Sequence, residues 1–297
     1  MVLVEDNSKV LIQGITGRSG QQVAKQLLDY KVQVVGGVTP GKGGQEVFGV
    51  PVFNSVEEAI ISVGKVDVSM IYVPPLMAKD AALEAINAGI GLVHIFVEKV
   101  PILDTSIILS RAQEKGVKVL GPSSVGLITP GKVKIGSIGG DSPNRAFSAG
   151  NVGVISRSGG MTSEISLQVK NAGYGVSTAI GIGGDLLIGL TLSELLPEFE
   201  KDADTKIVVA FGEVGGSAEI EAANLLKDGK FTKPLIVYIA GKFSETLPKG
   251  TALGHAGAIV GFETTLDEKK KILKDCGAII CEDLSDLGGL LKQNLNI

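Results

Sequence analysis

Apolar and polar positions follow two alternating rhythms along this chain. Short, β-branched apolar runs over 10–13, 33–35, 68–73, 92–97 and 117–120 predict strands. Between them, the 3.6-residue period predicts helices over 19–30, 78–88 and 105–115. Apolar strands interleaved with helices imply parallel pairing, with both sheet faces covered. Residues 1–122 are therefore expected to form a Rossmann-like α/β domain. Over 123–150 the periodicity fades and Gly, Pro, Ser and Asn crowd in, which predicts a loop-rich linker. Alternation then resumes, with strands over 152–155, 177–180, 206–211, 235–239 and 278–280. Helices are expected over 161–172, 192–199, 217–226 and 266–275, and a last one from 285. Residues 151–297 thus read as a second open parallel α/β domain of flavodoxin-like type.

Composition narrows the function. The chain has 297 residues, 44% hydrophobic and 20% charged, enough for two packed domains. Its 41 glycines point to many tight turns and close backbone approaches. A net charge of −4 gives no general attraction to nucleic acid or to an anionic membrane, so neither partner is expected. Cys276 and Cys281 match no common zinc spacing and are too few for a disulfide framework; no metal site is expected. No apolar run approaches the ~20 residues of a membrane span. The first strand follows the N-terminus closely, with no targeting segment ahead of it, so a cytoplasmic location is expected.

The first candidate site is Gly14-Ile15-Thr16-Gly17-Arg18-Ser19-Gly20, which joins the first strand to the first helix. Backbone N–H groups at such a helix start bind phosphate in doubly wound folds; a plain tight turn is the alternative. A nicotinamide enzyme places Asp or Glu at the tip of the second strand, on the ribose hydroxyls. Here the strand ends in Gly36-Gly37-Val38-Thr39-Pro40-Gly41-Lys42-Gly43-Gly44, with no carboxylate. Lys42 is either an ordinary loop lysine or an ammonium for an extra phosphate. An adenine cofactor with such a phosphate, coenzyme A, fits better than NAD.

The chain has two histidines. His94 lies within an apolar strand and reads as structural. His255 stands in Leu253-Gly254-His255-Ala256-Gly257-Ala258-Ile259, where small neighbours leave the imidazole unobstructed. Alone, it could equally be a satisfied loop histidine. Two further segments, Ser156-Arg157-Ser158-Gly159-Gly160 and Glu213-Val214-Gly215-Gly216-Ser217, each follow a strand and open a helix. Their unpaired N–H groups and positive dipole ends are suited to a phosphoryl group on imidazole. Glu213 can fix the tautomer through the other ring nitrogen, or simply stabilise its own helix.

These stretches, together with 71–74, 129–131, 181–185 and 212–218, resemble the alpha subunits of succinyl-CoA synthetases (succinate–CoA ligases). The likeness covers essentially the whole chain. It implies an NTP-dependent acid–thiol ligase that joins succinate and CoA through a phosphohistidine and an acyl phosphate. It assigns CoA contacts to Thr16, Gly17, Arg18, Ser19, Lys42, Phe96, Val97 and Glu98. His255 corresponds to the phosphorylated histidine, Glu213 to its partner, and Ser156, Ser158 and Gly159 to the phosphate cradle. The resemblance further implies an ATP-grasp beta subunit, in a heterodimer or heterotetramer, that holds Mg–NTP.

The sequence departs from the family pattern in three places, of which the 121–126 stretch and Ser163 bear on the acid. The family's Gly-Pro-Asn-Cys-Pro-Gly is Gly121-Pro122-Ser123-Ser124-Val125-Gly126 here, and Lys99 stands where glycine is common. Ser163 replaces a tyrosine assigned to the acid substrate. The same mechanism on another short carboxylic acid, such as malate or acetate, and a non-catalytic CoA-binding relative are the alternatives. An NAD-dependent oxidoreductase is disfavoured by the missing carboxylate.

Overall fold

The computed structural model describes residues 1–241, 243, 247, 250–251, 254–258 and 265–295. The first half runs β1 (Lys9–Gln13), α1 (Arg18–Asp29), β2 (Gln33–Val38), β3 (Glu46–Val47), β4 (Val50–Phe53) and α2 (Val56–Val63). It continues through β5 (Val68–Ile71), α3 (Ala78–Asn87), β6 (Leu92–Ile95), α4 (Ile102–Lys115) and β7 (Lys118–Leu120). The seven strands form one sheet in the order β3-β4-β2-β1-β5-β6-β7, parallel except for β3 against β4. Every residue of β5 and β6 is buried, as strands covered on both faces require.

The second half contains β8 (Gly126–Thr129), β9 (Val133–Ile135), β10 (Ala149–Ser156), α5 (Gly159–Asn171) and β11 (Val176–Gly181). Next come α6 (Leu192–Lys201), β12 (Ile207–Glu213), α7 (Ala218–Lys227), β13 (Leu235–Ala240), α8 (Leu266–Asp275), β14 (Ile279–Ile280) and α9 (Leu287–Asn294). Its sheet is ordered β14-β13-β12-β10-β11-β8-β9, and β8 and β9 are antiparallel. All seven residues of β12 are buried. Helix α6 shows how the outer layer is fixed: Thr191 and Glu194 cap its start reciprocally, and Leu192, Leu195, Leu196 and Phe199 form its buried stripe. Each such buried side chain contributes about 1.5–3 kcal/mol.

Two segments correct the expectations. Residues 123–150, expected as a linker, include the β8–β9 hairpin that completes the second sheet. Its turn puts Pro130 before Gly131 (φ 78°) and closes with Lys132 N–H on the Thr129 carbonyl at 3.0 Å. Strands of three and four residues are too short to leave a period in a glycine-rich stretch. Residues 46–63, left unassigned, form a second hairpin, turning at Phe48 and Gly49 (φ 51° and 78°), and then α2. The start of α2 had a legible signal, because Ser55 caps the Glu58 N–H at 3.1 Å.

The seam between the two sheets is specific. His94 is fully buried, and its Nε2–H donates to the Ser124 carbonyl at 2.9 Å. Burial pushes its pKa down to about 4, which suits a neutral, structural ring. The Ser124 hydroxyl donates in turn to the Gly181 carbonyl at 2.6 Å, so one residue ties β6 to β11. Lys118 and Glu198 pair across the same seam at 3.0 Å.

Candidate active site

On the first sheet, the expected CoA contacts fall at the C-terminal ends of neighbouring parallel strands. Gly14 turns the chain at the end of β1 with φ 84°, where a Cβ would meet the Tyr72 carbonyl oxygen at 2.7 Å. Gly17 caps α1, and Arg18 and Ser19 open it; no side chain caps this end and no acidic residue stands in its first turn. Its N–H groups and positive dipole end thus face outward unopposed. Beside it, the loop after β2 carries Lys42, exposed and without an ion pair among the described residues. That loop is shaped by Asn54, whose Oδ1 accepts from the N–H groups of Gly41 and Gly43, each at 3.0 Å. The Thr16 and Thr39 hydroxyls meet at 3.2 Å, linking the two loops. Further along the same edge, Phe96 stacks on Tyr72 with ring centroids 4.6 Å apart. Val97 and Glu98 follow it.

The row ends in a cleft of about 550 Å³ that the two sheets share. Glu98, Lys99 and Ser123 line it from one side; Arg157, Ser158, Gly159, Gly184, Asp185 and His255 line it from the other. Glu213, buried at the end of β12, accepts a hydrogen bond on Oε1 from His255 Nδ1–H. That bond leaves Nε2 without a partner among the described residues. The Glu213 hydrogen bond holds the His255 pKa above its ordinary 6.5, with burial and Arg157 opposing. Burial raises the Asp185 carboxyl above the usual carboxylate range, and the charge of Glu98 adds to the effect. Arg157 is held in place by carbonyl oxygens, Nη2 donating to Asp185 at 2.9 Å. A guanidinium, an imidazole and the start of α5, where Ser158 caps the Met161 N–H, surround one cavity, an arrangement chemically suited to an anionic group.

The expected residues do not all arrive there. Ser158 and Gly159 line the cleft at the start of α5. Ser156 is buried, and its hydroxyl is used within the turn, donating to the Ser158 carbonyl at 2.8 Å. The second helix start, at 215–217, opens instead on a neighbouring cavity of about 220 Å³. Glycines at 215 and 216 (φ 89° and 66°) turn the chain there, so this segment contributes Glu213 rather than N–H groups. Ser163 sits one helical turn into α5, in an adjoining cavity of about 520 Å³ with Ser137, Ser142 and Arg145. Val125, Gly159 and Gly160 line both cavities. Lys99 and Ser123 both take left-handed backbone (φ 60° and 61°), the conformation glycine or asparagine adopts most easily. Leu253 and Ile259, which flank the His255 stretch, lie outside the described residues.

Sequence reasoning gave no role to Arg157, Asp185 or Lys269. Arg157 and Asp185 lay within motifs already singled out, and their position after strand ends was the signal. Lys269 lies in the run Lys269-Lys270-Lys271, which reads as a solvated face. Its spacing from the buried Leu266 and Leu273 places it on the inner face of α8.

Comparison with known proteins bears on family and fold. Residues 5–99 match the CoA binding domain family, and residues 155–282 match the CoA-ligase family. The alpha subunit 1 of an ADP-forming succinate–CoA ligase from Archaeoglobus fulgidus is 46% identical over 96% of this chain and 95% of its own length. A subunit of an ADP-forming sulfoacetate–CoA ligase from an Acholeplasma species is 39% identical over 98% of this chain and 97% of its own. Among solved structures, Methanosaeta concilii ATP citrate lyase in complex with (3S)-citryl-CoA superposes with a TM-score of 0.90 at 25% identity. That match covers 98% of this chain and 50% of the longer lyase chain. Among the described residues, no helix is long and apolar enough to cross a membrane.

Proposed function

The chain belongs to the family of succinate–CoA ligase alpha subunits, and from that premise we propose that it binds CoA along its first sheet and carries a transferable phosphoryl group on His255. One observation carries the proposal: the open Nε2 of a Glu213-bonded imidazole shares a cleft with the α5 start and with Glu98. Glu98 ends the row of loops assigned to CoA, so thiol and phosphoryl group have a common meeting place.

The chain's own residues supply the following steps. Glu213 holds the proton on Nδ1, so the Nε2 lone pair attacks the terminal phosphorus of an NTP presented by an ATP-grasp beta subunit. The P–O bond to NDP breaks as the N–P bond forms. Ser158, Gly159 and the N–H groups of the α5 start bind the phosphoryl oxygens, and Arg157 faces the same charge. Glu213 balances the positive charge on the ring. The acid's carboxylate then attacks phosphorus, breaks the N–P bond and forms an acyl phosphate. Finally the CoA thiolate attacks the acyl carbon, and inorganic phosphate leaves with the electrons of the C–O bond.

Thr16, Gly17, Arg18 and Ser19 are assigned to the CoA phosphates, and Lys42 to its ribose phosphate. Phe96, Val97 and Glu98 lead the pantetheine arm to the cleft. Succinate is the acid favoured by family. The test is reconstitution: with its beta subunit, NTP, succinate and CoA, the chain should form succinyl-CoA, and without the beta subunit it should not. Turnover by the chain alone would remove the two-subunit reading.

One observation favours a second reading in which the same mechanism acts on another short acid. The Ser163 cavity adjoins the phosphoryl cleft, and the Arg145 guanidinium lining it has no ion pair among the described residues. A guanidinium there pairs with a sulfonate as well as with the second carboxylate of succinate, so the other acids it admits are those with a second anionic group, not acetate. A panel of acids with the reconstituted enzyme separates the two readings.

A further inference from the structure

We propose that Lys269 and Glu219 form a buried brace that holds Glu213 against His255, which makes both of them positioning residues for phosphoryl transfer. The proposal rests on the phosphohistidine reading above.

Lys269 and Glu219 are 1% and 2% exposed, and their charged groups meet at 2.9 Å. Glu219 Oε1 also accepts from the Glu213 N–H at 3.3 Å. Lys269 Nζ donates to the Glu213 carbonyl at 3.3 Å and to the Gly215 carbonyl at 2.7 Å. The three protons of the ammonium are thereby used, and the pair grips the backbone of Glu213 on both its N–H and its C=O. Gly212 admits this arrangement, because a Cβ there would lie 2.6 Å from Glu219 Oε1.

Stability gives little reason for these ions. Withdrawing both charges from water costs about as much as their attraction returns, and well-packed apolar side chains commonly do as well. What apolar residues cannot do is hold two carbonyls and an amide of one catalytic turn. The topology gives the grip a purpose. The segment carrying His255 leaves β13, whose Ala240 pairs with Glu213 in the sheet, and returns through α8, whose Lys269 docks on the Glu213 carbonyl. Both ends of that segment are therefore referenced to Glu213, the residue whose carboxylate orients the imidazole.

The test uses the full chain, whose two histidines should give separate NMR signals, one from a buried ring and one from the cleft. His94, buried and remote from the pair, reports whether the fold is intact. Lys269→Met removes the grip. The neutral double variant Glu219→Gln/Lys269→Met leaves no unpaired charge in the core and serves if the single variant fails to fold. Glu98, Lys99, Arg157 and Asp185, the other charged groups lining the cleft, stay in place. In the folded variant the His255 titration should fall toward its ordinary value, as the Glu213 hydrogen bond loosens. Phosphorylation of His255 in the complex with the beta subunit should slow at least about tenfold, since small misplacements carry large rate costs. The KM for CoA should not change. A folded variant with unaltered His255 titration and unaltered phosphorylation overturns the brace. Absence of phosphoryl transfer to His255 in the unmutated complex overturns the underlying reading, and the brace with it.

Discussion

Gly184 presents its bare Cα to the imidazole of His255: a Cβ at that position would lie 2.6 Å from the ring's Cγ. The backbone after β11 thus forms one wall of the cleft that holds His255, and the imidazole lies directly against it. Gly184→Ala should displace the ring from Glu213 and from the start of α5. We expect about a hundredfold slower phosphorylation, the scale of a 1 Å misplacement, with CoA binding intact. Rapid-quench phosphorylation kinetics beside CoA titration checks this.

Protonation of His255 sets opposite trends for stability and rate. The hydrogen bond to Glu213 raises the folded-state pKa above 6.5. The stabilisation it provides is complete below that ordinary value and is lost as pH rises through the raised one. Attack, by contrast, needs the neutral ring, so phosphorylation should accelerate over the same rise. Thermal midpoints of the native chain and of Glu213→Gln should converge as pH increases. Convergence at low pH instead would show that the sign is wrong.

Lys42 stands exposed in a glycine-rich loop beside the start of α1. Lys42→Ala should weaken CoA about tenfold, the scale of one lost charge-assisted hydrogen bond, and dephospho-CoA much less. Equal losses for the two ligands in calorimetric titrations would remove the ribose phosphate from its role. NAD binding tighter than CoA would overturn the assignment of the whole row.

Ser163 lines a cavity of about 520 Å³ next to the His255 cleft. Ser163→Tyr should narrow the range of acids and raise the KM of the bulkiest accepted acid several-fold, by filling apolar and polar volume alike. Phosphorylation from NTP should be unchanged. An identical acid profile in the variant would place the acid elsewhere.

Much of the fold was legible because its strands are short, apolar and separated by helices long enough to show a period. The seven buried residues of β12 and the capped start of α6 are examples. The β8–β9 hairpin was not legible, since Gly126 and the Pro130-Gly131 turn dominate a stretch that also supplies strand residues. The contact between His255 and Glu213 was legible through small neighbours and strand-end positions, features that survive in sequence. That Ser156 and residues 215–217 lie off the His255 cleft was not legible, because the direction in which a turn presents its groups depends on backbone φ angles and local hydrogen bonds. Lys269 was missed for a plainer reason: of three consecutive lysines, only helical phase separates the buried one from its neighbours.

The phosphoryl group should reside on His255. Its only rival imidazole, His94, is fully buried and bonded to the Ser124 carbonyl. Labelling the chain with radioactive NTP and the beta subunit should give an acid-labile, base-stable adduct. His255→Asn should abolish that adduct while CoA still binds, because the two sites lie on different sheets. Label persisting in His255→Asn, or an acid-stable adduct on Ser156 or Ser158, would contradict a phosphohistidine mechanism.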